Sequence, residues 1–288
     1  MPILEGYFTA HEPAALARQR ARARRGMRGR GAVGLLSLYA VAACGRVSFA
    51  PISSEPGHDA ATIDAQMQDT ADSNMVLDPS LVAWFPLNDA AAPFRERVTQ
   101  IDATCIAGAC PTAVTNGVAT NVTFEATSQQ CLAFPDSGQL QLQSFTLFVR
   151  ATQNSAANMA HLGKRVGTGF ANSWGLEAGP QFEPSALAFA ASSDQNNNVF
   201  AASAANTVSV GSTHNLAATY ASPTMTFYID GAVAGTANLP GRLAYAPTAM
   251  VIGCDANATF NGLYFDGTLR DVRIYNRVLS QSEIAALN

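Results

Sequence analysis

The carboxylates are the first candidates for catalysis in this chain, because a pair of them can supply the general acid and general base of a hydrolytic reaction. Two acids that alternate along one strand would aim both groups at the same bond. None of the glutamates after residue 80 has another acid two positions away: Glu96, Glu125, Glu177, Glu183 and Glu283. The sequence therefore predicts no catalytic pair of this kind.

Histidine and serine chemistry also lacks a motif. The four histidines are scattered, and neither His-Glu-x-x-His nor Gly-x-Ser-x-Gly occurs. His214 begins an expected strand, and we interpret it as a structural hydrogen-bonding group rather than a catalytic one. Residues 29–34 match a dinucleotide-binding pattern in their letters, but no strand precedes them. These observations predict that the protein is not an enzyme.

The N-terminus indicates export. Seven arginines crowd residues 18–30, and an apolar run continues to Ala43. A basic region followed by a short apolar region is typical of a secretory signal peptide. The run is too short for a permanent membrane-spanning helix. The alternatives are an arginine-rich nucleic-acid arm and an organelle transit peptide.

The end of the apolar run indicates how the protein is anchored. Val41-Ala-Ala-Cys44 resembles a bacterial lipobox, which implies that Cys44 is lipidated and becomes the mature N-terminus. We therefore expect residues 1–43 to be a lipoprotein signal, with Met27 as a possible true start. The mature protein would be anchored by lipid to the bacterial envelope, at the outer membrane or cell surface.

Removal of the signal makes the chain acidic. The remainder holds 10 basic and 19 acidic residues, which argues against nucleic acid as a partner, because binding to phosphates requires a basic surface. Residues 44–79 are rich in acids and proline and poor in large apolar side chains. Such a composition does not support a core, so we expect a disordered acidic tether.

Four cysteines remain once Cys44 is assigned to lipid, and an even number in an exported chain indicates two disulfides. Cys105 and Cys110 lie close together in one loop and are expected to pair, which leaves Cys131 to join Cys254. The alternative is a zinc site, but the chain has no Cys-x-x-Cys and no histidine beside a cysteine.

From residue 80 the pattern changes to short apolar runs separated by turn residues, which is typical of an all-β domain. Asp230-Gly231 lies between two such runs and predicts a tight hairpin turn. The chain closes with a strand and then a short helix, for which Ser280 and Glu283 form a predicted capping box. We expect residues 80–288 to form one two-sheet sandwich.

The closing segment, F-x-G-x-x-x-D-V-R-I-Y-N-R-x-L-S-x-x-E-I from Phe265, resembles the end of LamG-like (laminin G, concanavalin A-like) domains of bacterial surface proteins. The opening strand from Leu81 and the hairpin at Phe227–Gly231 are similar to this family too. The resemblance implies an antiparallel jelly-roll sandwich. Two positions depart from the family, which usually has tryptophan near Phe148 and at Thr213.

The resemblance also implies calcium, which prefers the oxygen ligands that carboxylates and carbonyls provide. Asn88 and Asp89 end the opening strand and Asp271 lies in the closing strand. If these strands are neighbours, as in the family, the three side chains could bind a structural Ca²⁺. The alternative is that Asn88 and Asp89 form a turn and Asp271 pairs with an adjacent arginine or with backbone.

Two segments combine aromatic and amide side chains in the way that sugar-binding sites do. The first contains Phe170, Asn172 and Trp174, and the second, an expected hairpin tip, contains Asp194 and Asn196. The alternative places both aromatic residues in the core and makes the second segment a solvated turn.

The family resemblance favours a non-catalytic surface module that binds carbohydrate or a protein partner. We expect its domain to be monomeric. A glycan-active enzyme of the concanavalin A-like class and a structural envelope lipoprotein without a defined ligand are the alternatives.

Overall fold

The computed structural model describes residues 77–106, 109–116, 119–166, 171–178, 186–255 and 262–287. The predicted signal, with Met27 and Cys44, lies outside these residues, as does nearly all of the predicted tether. The described part is almost entirely β-structure with one short helix, α1, at Gln281–Ala285. Short 3₁₀ turns occur at Ala126–Ser128 and Gly138–Leu140.

The strands in chain order are β1 Leu81–Phe85, β2 Phe94–Arg95, β3 Asp102–Cys105, β4 Thr112–Asn116, β5 Ala119–Phe124, β6 Leu132–Phe134, β7 Ser144–Gln153, β8 Met159–Arg165, β9 Asn172–Ala178, β10 Leu187–Ala191, β11 Val199–Ala202, β12 Thr213–Ala221, β13 Thr224–Ile229, β14 Ala232–Asn238, β15 Met250–Ile252 and β16 Gly267–Tyr275.

These strands form two antiparallel sheets. The first has the order β14-β13-β12-β7-β16-β5-β4, and β1 also pairs with β16. The second has the order β11-β10-β9-β8-β15-β6-β3-β2. The predicted two-sheet jelly-roll sandwich is confirmed, and the opening and closing strands are neighbours as the family resemblance implied.

The core lies between the sheets because alternate side chains of each strand point inward. Phe145, Trp174 and Phe189 are fully buried at its centre, and Phe145 lies 6.2 Å from Trp174 and 6.1 Å from Phe189 between ring centroids. The first sheet contributes Leu216, Val149, Leu269 and Val122 from four successive strands. The side chains between these residues therefore face outward from the first sheet.

The closing segment covers part of that outward face. Ser280 accepts a hydrogen bond from the Glu283 amide, and Glu283 accepts one from the Ser280 amide, so the predicted capping box is confirmed. Leu279 and Ile284 pack with Phe148 in a second apolar cluster outside the main core. This docking explains why Phe148 is fully buried although it points away from the sandwich centre.

The hairpin between β13 and β14 forms at Asp230-Gly231, where φ is 50° and 78°. Two successive positive φ angles are those of a type I′ turn, as predicted. The Asp230 carboxylate lies 2.8 Å from His214 Nδ1 and accepts a hydrogen bond from the Asn215 amide. His214 therefore has the structural hydrogen-bonding role expected from the sequence.

Candidate functional site

At one end of the second sheet, the end of β8 and the start of β9 carry charged and amide side chains. These side chains are almost completely buried. Arg165 ends β8, Asn172 and Glu177 belong to β9, and Asp255 follows β15. Their exposed fractions lie between 1% and 4%. We call these four residues the polar cluster. Buried charges are costly unless they are paired and hydrogen-bonded, so the contacts among them decide what the cluster can do.

The central contact of the polar cluster is an ion pair. Arg165 Nη1 lies 2.7 Å from Asp255 Oδ2 and donates to the Asp255 carbonyl oxygen at 3.3 Å. Burial raises the pKa of Asp255 above its ordinary value, against the opposing effects of the Arg165 guanidinium and the Asn172 amide. The pair holds together two segments that are 90 residues apart in the chain.

Asn172 extends the polar cluster along β9. Its side-chain nitrogen donates to Glu177 Oε1 at 2.9 Å, and its backbone amide donates to Asn198 Oδ1 at 2.8 Å. A Cβ on Gly175 would lie 3.3 Å from the Leu162 carbonyl oxygen and 3.4 Å from that side-chain nitrogen. Glycine at this position therefore leaves room for the amide to lie across the strand.

Beside the polar cluster, Lys164 is also buried, and its ammonium group has two hydrogen-bond partners. Its Nζ donates to Asp136 Oδ1 at 2.6 Å and to the Thr248 carbonyl at 2.7 Å. Thr248 in turn donates from its hydroxyl to the Arg165 carbonyl at 2.6 Å. This end of the sheet is therefore fixed by polar contacts between distant loops.

The turn after β10 is exposed and is connected to Asn172 through Asn198. Asp194 Oδ1 accepts from the backbone amides of Asn196 and Asn197 at 2.9 and 2.8 Å. The Asn197 side chain donates to Oδ2 at 3.0 Å and, with those amides, lowers the pKa of Asp194. The turn therefore presents the exposed Asn196 side chain from a hydrogen-bonded frame.

The structure separates the five residues predicted to bind a ligand. Phe170 lies outside the described residues. Trp174 has no exposed surface, and its Nε1 donates to the Leu140 carbonyl at 3.4 Å. The ligand contact predicted for Trp174 is therefore corrected, because the residue belongs to the core. Asn172 is likewise buried within the polar cluster. Asp194 and Asn196 are exposed, and ligand contact there stays a prediction.

The residues predicted to bind calcium have protein partners. Asp271 accepts from Arg273 at 2.7 Å through each carboxylate oxygen, and Trp84 Nε1 donates to it at 2.8 Å. Arg97 donates to Asp89 at 3.3 Å and to Asn88 at 3.5 Å.

Among the described residues, no group of three or more acidic, histidine or cysteine side chains could hold a metal ion. These side chains do not fit a calcium-ligand set, because Arg273 and Arg97 donate hydrogen bonds to the two carboxylates. Calcium binding in solution stays a prediction.

Both disulfides form as predicted. Cys105 pairs with Cys110, and Cys131 pairs with Cys254 across 123 residues. The second disulfide lies directly before Asp255 and packs with Val251 in a small buried cluster. It therefore fixes the segment that carries the acidic partner of Arg165.

Sequence reasoning did not find the polar cluster as a unit. The available signal was a pair of basic residues, Lys164 and Arg165, at the end of a strand that is otherwise apolar except for His161. Charges in such a position require buried partners. Which acids supply them depends on contacts between distant loops, which local sequence patterns do not reveal.

A family profile described as the concanavalin A-like lectin/glucanases superfamily, of the laminin G type, matches residues 126–285, more than half of the chain. The chain belongs to this family. Its laminin G-like domain has no match among curated protein sequences. Within the described residues, no helix is both long and apolar enough to cross a membrane.

Solved structures share the fold of this laminin G-like domain at low sequence identity. Domain 4 of AbnA, an extracellular arabinanase from Geobacillus stearothermophilus, was solved with arabinotriose. It is 13% identical at a TM-score of 0.56, and the match covers 72% of this chain and 98% of that domain.

The binding domain of Paraclostridial Mosquitocidal Protein 1 is 12% identical, with the same TM-score, over 72% of this chain and 51% of that one. Trypanosoma rangeli sialidase is 18% identical at a TM-score of 0.54, over 74% of this chain and 33% of that one. This chain therefore spans about half of the toxin domain and a third of the sialidase.

Proposed function

We propose that the laminin G-like domain is a non-catalytic carbohydrate-binding module that acts as a monomer. The observation that carries the proposal is the match to domain 4 of the arabinanase, which covers 98% of a domain solved with arabinotriose. The match to the sialidase covers one third of that enzyme. The size of the shared region thus favours a separate binding domain over a whole enzyme.

The turn at Asp194–Asn198 is the proposed contact surface. Sugars are recognised by side chains that both donate and accept hydrogen bonds, and amides do both. The hydrogen bonds to Asp194 hold the turn in one conformation, so less conformational entropy is lost on binding. Asn198 joins this turn to β9 through the Asn172 backbone amide, next to the other residues of the buried polar cluster.

A glycan-active enzyme is the second candidate, because Asp255 is a buried acid with a raised pKa, a property of many general acids. Against this role, Asp255 is paired with Arg165, and Glu177 accepts from Asn172. Both acids are less than 5% exposed. We therefore favour binding without hydrolysis.

We further propose that the module is exported and anchored by lipid on Cys44. The two disulfides support an oxidising compartment. Changing Cys44 to Ser should release the protein from the membrane fraction or leave it as an uncleaved precursor. A wild-type protein of mature mass without lipid would contradict the anchor.

A glycan array with the full chain tests the binding function. We expect the double variant Asp194→Ala/Asn196→Ala to lose the signals that the wild type gives. Asn154→Ala, at an exposed position between β7 and β8, is the matched control and should keep them. An array without any specific signal would support the structural-component alternative instead.

A further inference from the structure

The outward face of the first sheet carries two polar rows that run across its strands. The registers of five neighbouring strands align a row of threonines: Thr213, Thr152, Thr268, Thr123 and Thr112. One outward position along, the same strands contribute Asn215, Arg150, Arg270, Asn121 and Val114. At a strand spacing of about 4.8 Å, each row extends roughly 19 Å.

The second row places two positive charges side by side. Arg150 lies directly opposite Arg270 on the neighbouring strand. Like charges in this position are destabilising unless an anion neutralises them. Arg270 donates to Asn121 Oδ1 at 3.0 Å, and the Arg150 guanidinium has no hydrogen bond or ion pair among the described residues.

The absence of an acid partner sets this pair apart from most of the domain's basic residues. Six of the nine basic residues after residue 80 form ion pairs with carboxylates in the described part: Arg95, Arg97, Lys164, Arg165, Arg273 and Arg277. Arg150, Arg270 and the exposed loop residue Arg242 have no such partner there. The pair is thus a local positive site on an acidic chain.

Arg273 lies on the same strand as Arg270 and is an example of an arginine on this face whose charge is neutralised by a carboxylate. Asp271 holds it through both carboxylate oxygens. Its guanidinium carbon lies 5.4 Å from the Trp84 ring centroid and 5.8 Å from that of Phe148. The charge of Arg273 is therefore neutralised within the protein. Arg150 and Arg270 have no carboxylate partner among the described residues and could be neutralised by an external anion.

We propose that Arg150 and Arg270, with the adjacent threonine row, bind an acidic glycan through its carboxylate or sulfate groups. The proposal rests on the proposed carbohydrate-binding function and adds a second surface to it. Guanidinium groups bind such oxyanions through two parallel hydrogen bonds. Threonine hydroxyls and asparagine amides suit the neutral hydroxyls of neighbouring sugar units, and each row is long enough for more than one unit.

Nucleic acid is the less suitable polyanion. Its backbone requires several cations along its length, and the rows offer two. Because the site lies at the surface, its attraction for an anion should weaken with salt. Binding to the acidic glycan should therefore be strong at about 50 mM NaCl and much reduced at about 500 mM.

Affinity electrophoresis of the full chain tests the site. The gels would contain polygalacturonate, dextran sulfate or neutral galactan, and single-stranded DNA would be titrated separately. We expect Arg150→Gln/Arg270→Gln to weaken binding to polygalacturonate, to dextran sulfate or to both by about tenfold or more, the equivalent of one charge-assisted contact. Arg242→Gln, which removes one exposed and unpaired charge, should bind as the wild type does. The two acidic polymers distinguish carboxylate from sulfate.

The outcomes separate this site from the proposed function. If acidic glycans bind the double variant and the wild type equally, or if Arg242→Gln causes the same loss, the site is wrong. If neutral glycans bind and acidic ones do not, the site is wrong while the carbohydrate-binding function stands. Tighter binding of DNA than of either acidic glycan would replace the glycan by nucleic acid. A thermal melt of each variant excludes loss through unfolding.

Discussion

The two sheets of this sandwich differ in whether their basic side chains are paired with carboxylates. In the second sheet, Arg165 and Lys164 are buried and each meets a carboxylate. On the outward face of the first sheet, Arg150 and Arg270 lie side by side, and neither pairs with an acid in the described part of the chain. The paired charges bind the fold together, whereas the unpaired ones increase its electrostatic energy. The former join distant segments of the fold, and the latter are the pair that we propose to bind an external anion.

The largest expected effect concerns the disulfide that fixes the second sheet. Replacing Cys131 and Cys254 by Ala should lower the free energy of unfolding by about 4–5 kcal/mol, because the bond closes a loop of over a hundred residues. Replacing Cys105 and Cys110 should cost about 2 kcal/mol, since their loop is short. Denaturant titration of both variants would measure the two losses. Equal losses would contradict a dominant role of the longer bond.

The buried ion pair comes next. Asp255→Ala should lower the free energy of unfolding by about 3–5 kcal/mol, because it leaves the Arg165 charge buried without its acid. Asp102→Ala breaks the exposed pair with Arg95 and should cost less than about 1 kcal/mol. If denaturant melts show similar losses for both, burial does not determine the contribution of these pairs.

Acid should also destabilise the interior near β8. Burial lowers the pKa of His161 from 6.5 to about 4, and the Gln153 side-chain nitrogen lies 3.0 Å from its Nε2. Between these two pH values the unfolded chain binds a proton that the folded protein excludes. Stability should therefore fall on acidification through this window, by about 3 kcal/mol in total.

The contribution of His161 is measured by comparison with His161→Gln. Thermal melts from about pH 7 to about pH 4 should show a smaller loss for the variant, because glutamine does not titrate. The window lies above that of Glu283, whose pKa is lowered to about 2 by hydrogen bonds from Arg277 and Ser280. Parallel pH curves for wild type and variant would show that His161 does not control this loss.

A smaller effect tests Asp271 and calcium together. Asp271→Ala should lower the free energy of unfolding by about 2 kcal/mol, since Arg273 and Trp84 Nε1 lose their acceptor. If calcium binds in solution, EDTA should lower the melting temperature of the wild type but not of this variant. A wild-type melt that EDTA leaves unchanged, without calcium uptake in calorimetry, would rule the ion out.

The smallest effect belongs to the unpaired arginines. Arg150→Gln/Arg270→Gln should leave the free energy of unfolding unchanged or raise it by a few tenths of a kcal/mol, because the cross-strand repulsion disappears. Denaturant titration at low salt would measure the change. A loss of more than about 1 kcal/mol would mean that the pair stabilises the fold and that the contrast between the sheets is false.

Sequence-based prediction succeeds best where the signals are local. The cap at Ser280 and Glu283 and the turn at Asp230-Gly231 depend on residues within four positions of one another, and both form as expected. The segment around Trp174, expected to contact a ligand, is instead a buried strand, whose glycine and polar residues have weak β propensity. The alternation of Trp174 and Leu176 with polar or small residues was the available signal.

The candidate sites were less predictable because they depend on register. Arg165 and Asp255 meet across 90 residues, and Arg150 faces Arg270 across 120. A shift of one residue in the pairing of β7 with β16 would turn one of these two arginines to the other face, and the contact of Arg165 with Asp255 depends on the course of the segment after β15. Composition and local spacing do not determine such a register, so the polar cluster and the arginine pair become visible once the strands are aligned.

The most direct test of the account measures binding and hydrolysis in one sample. The full chain would be incubated with the polysaccharides that retard its migration in affinity gels. The reducing ends released would be measured over time. For a non-catalytic binding module we expect retarded migration with no increase in reducing ends above a protein-free control. Release of reducing ends that Asp255→Asn or Glu177→Gln abolishes would contradict it and establish an enzyme instead.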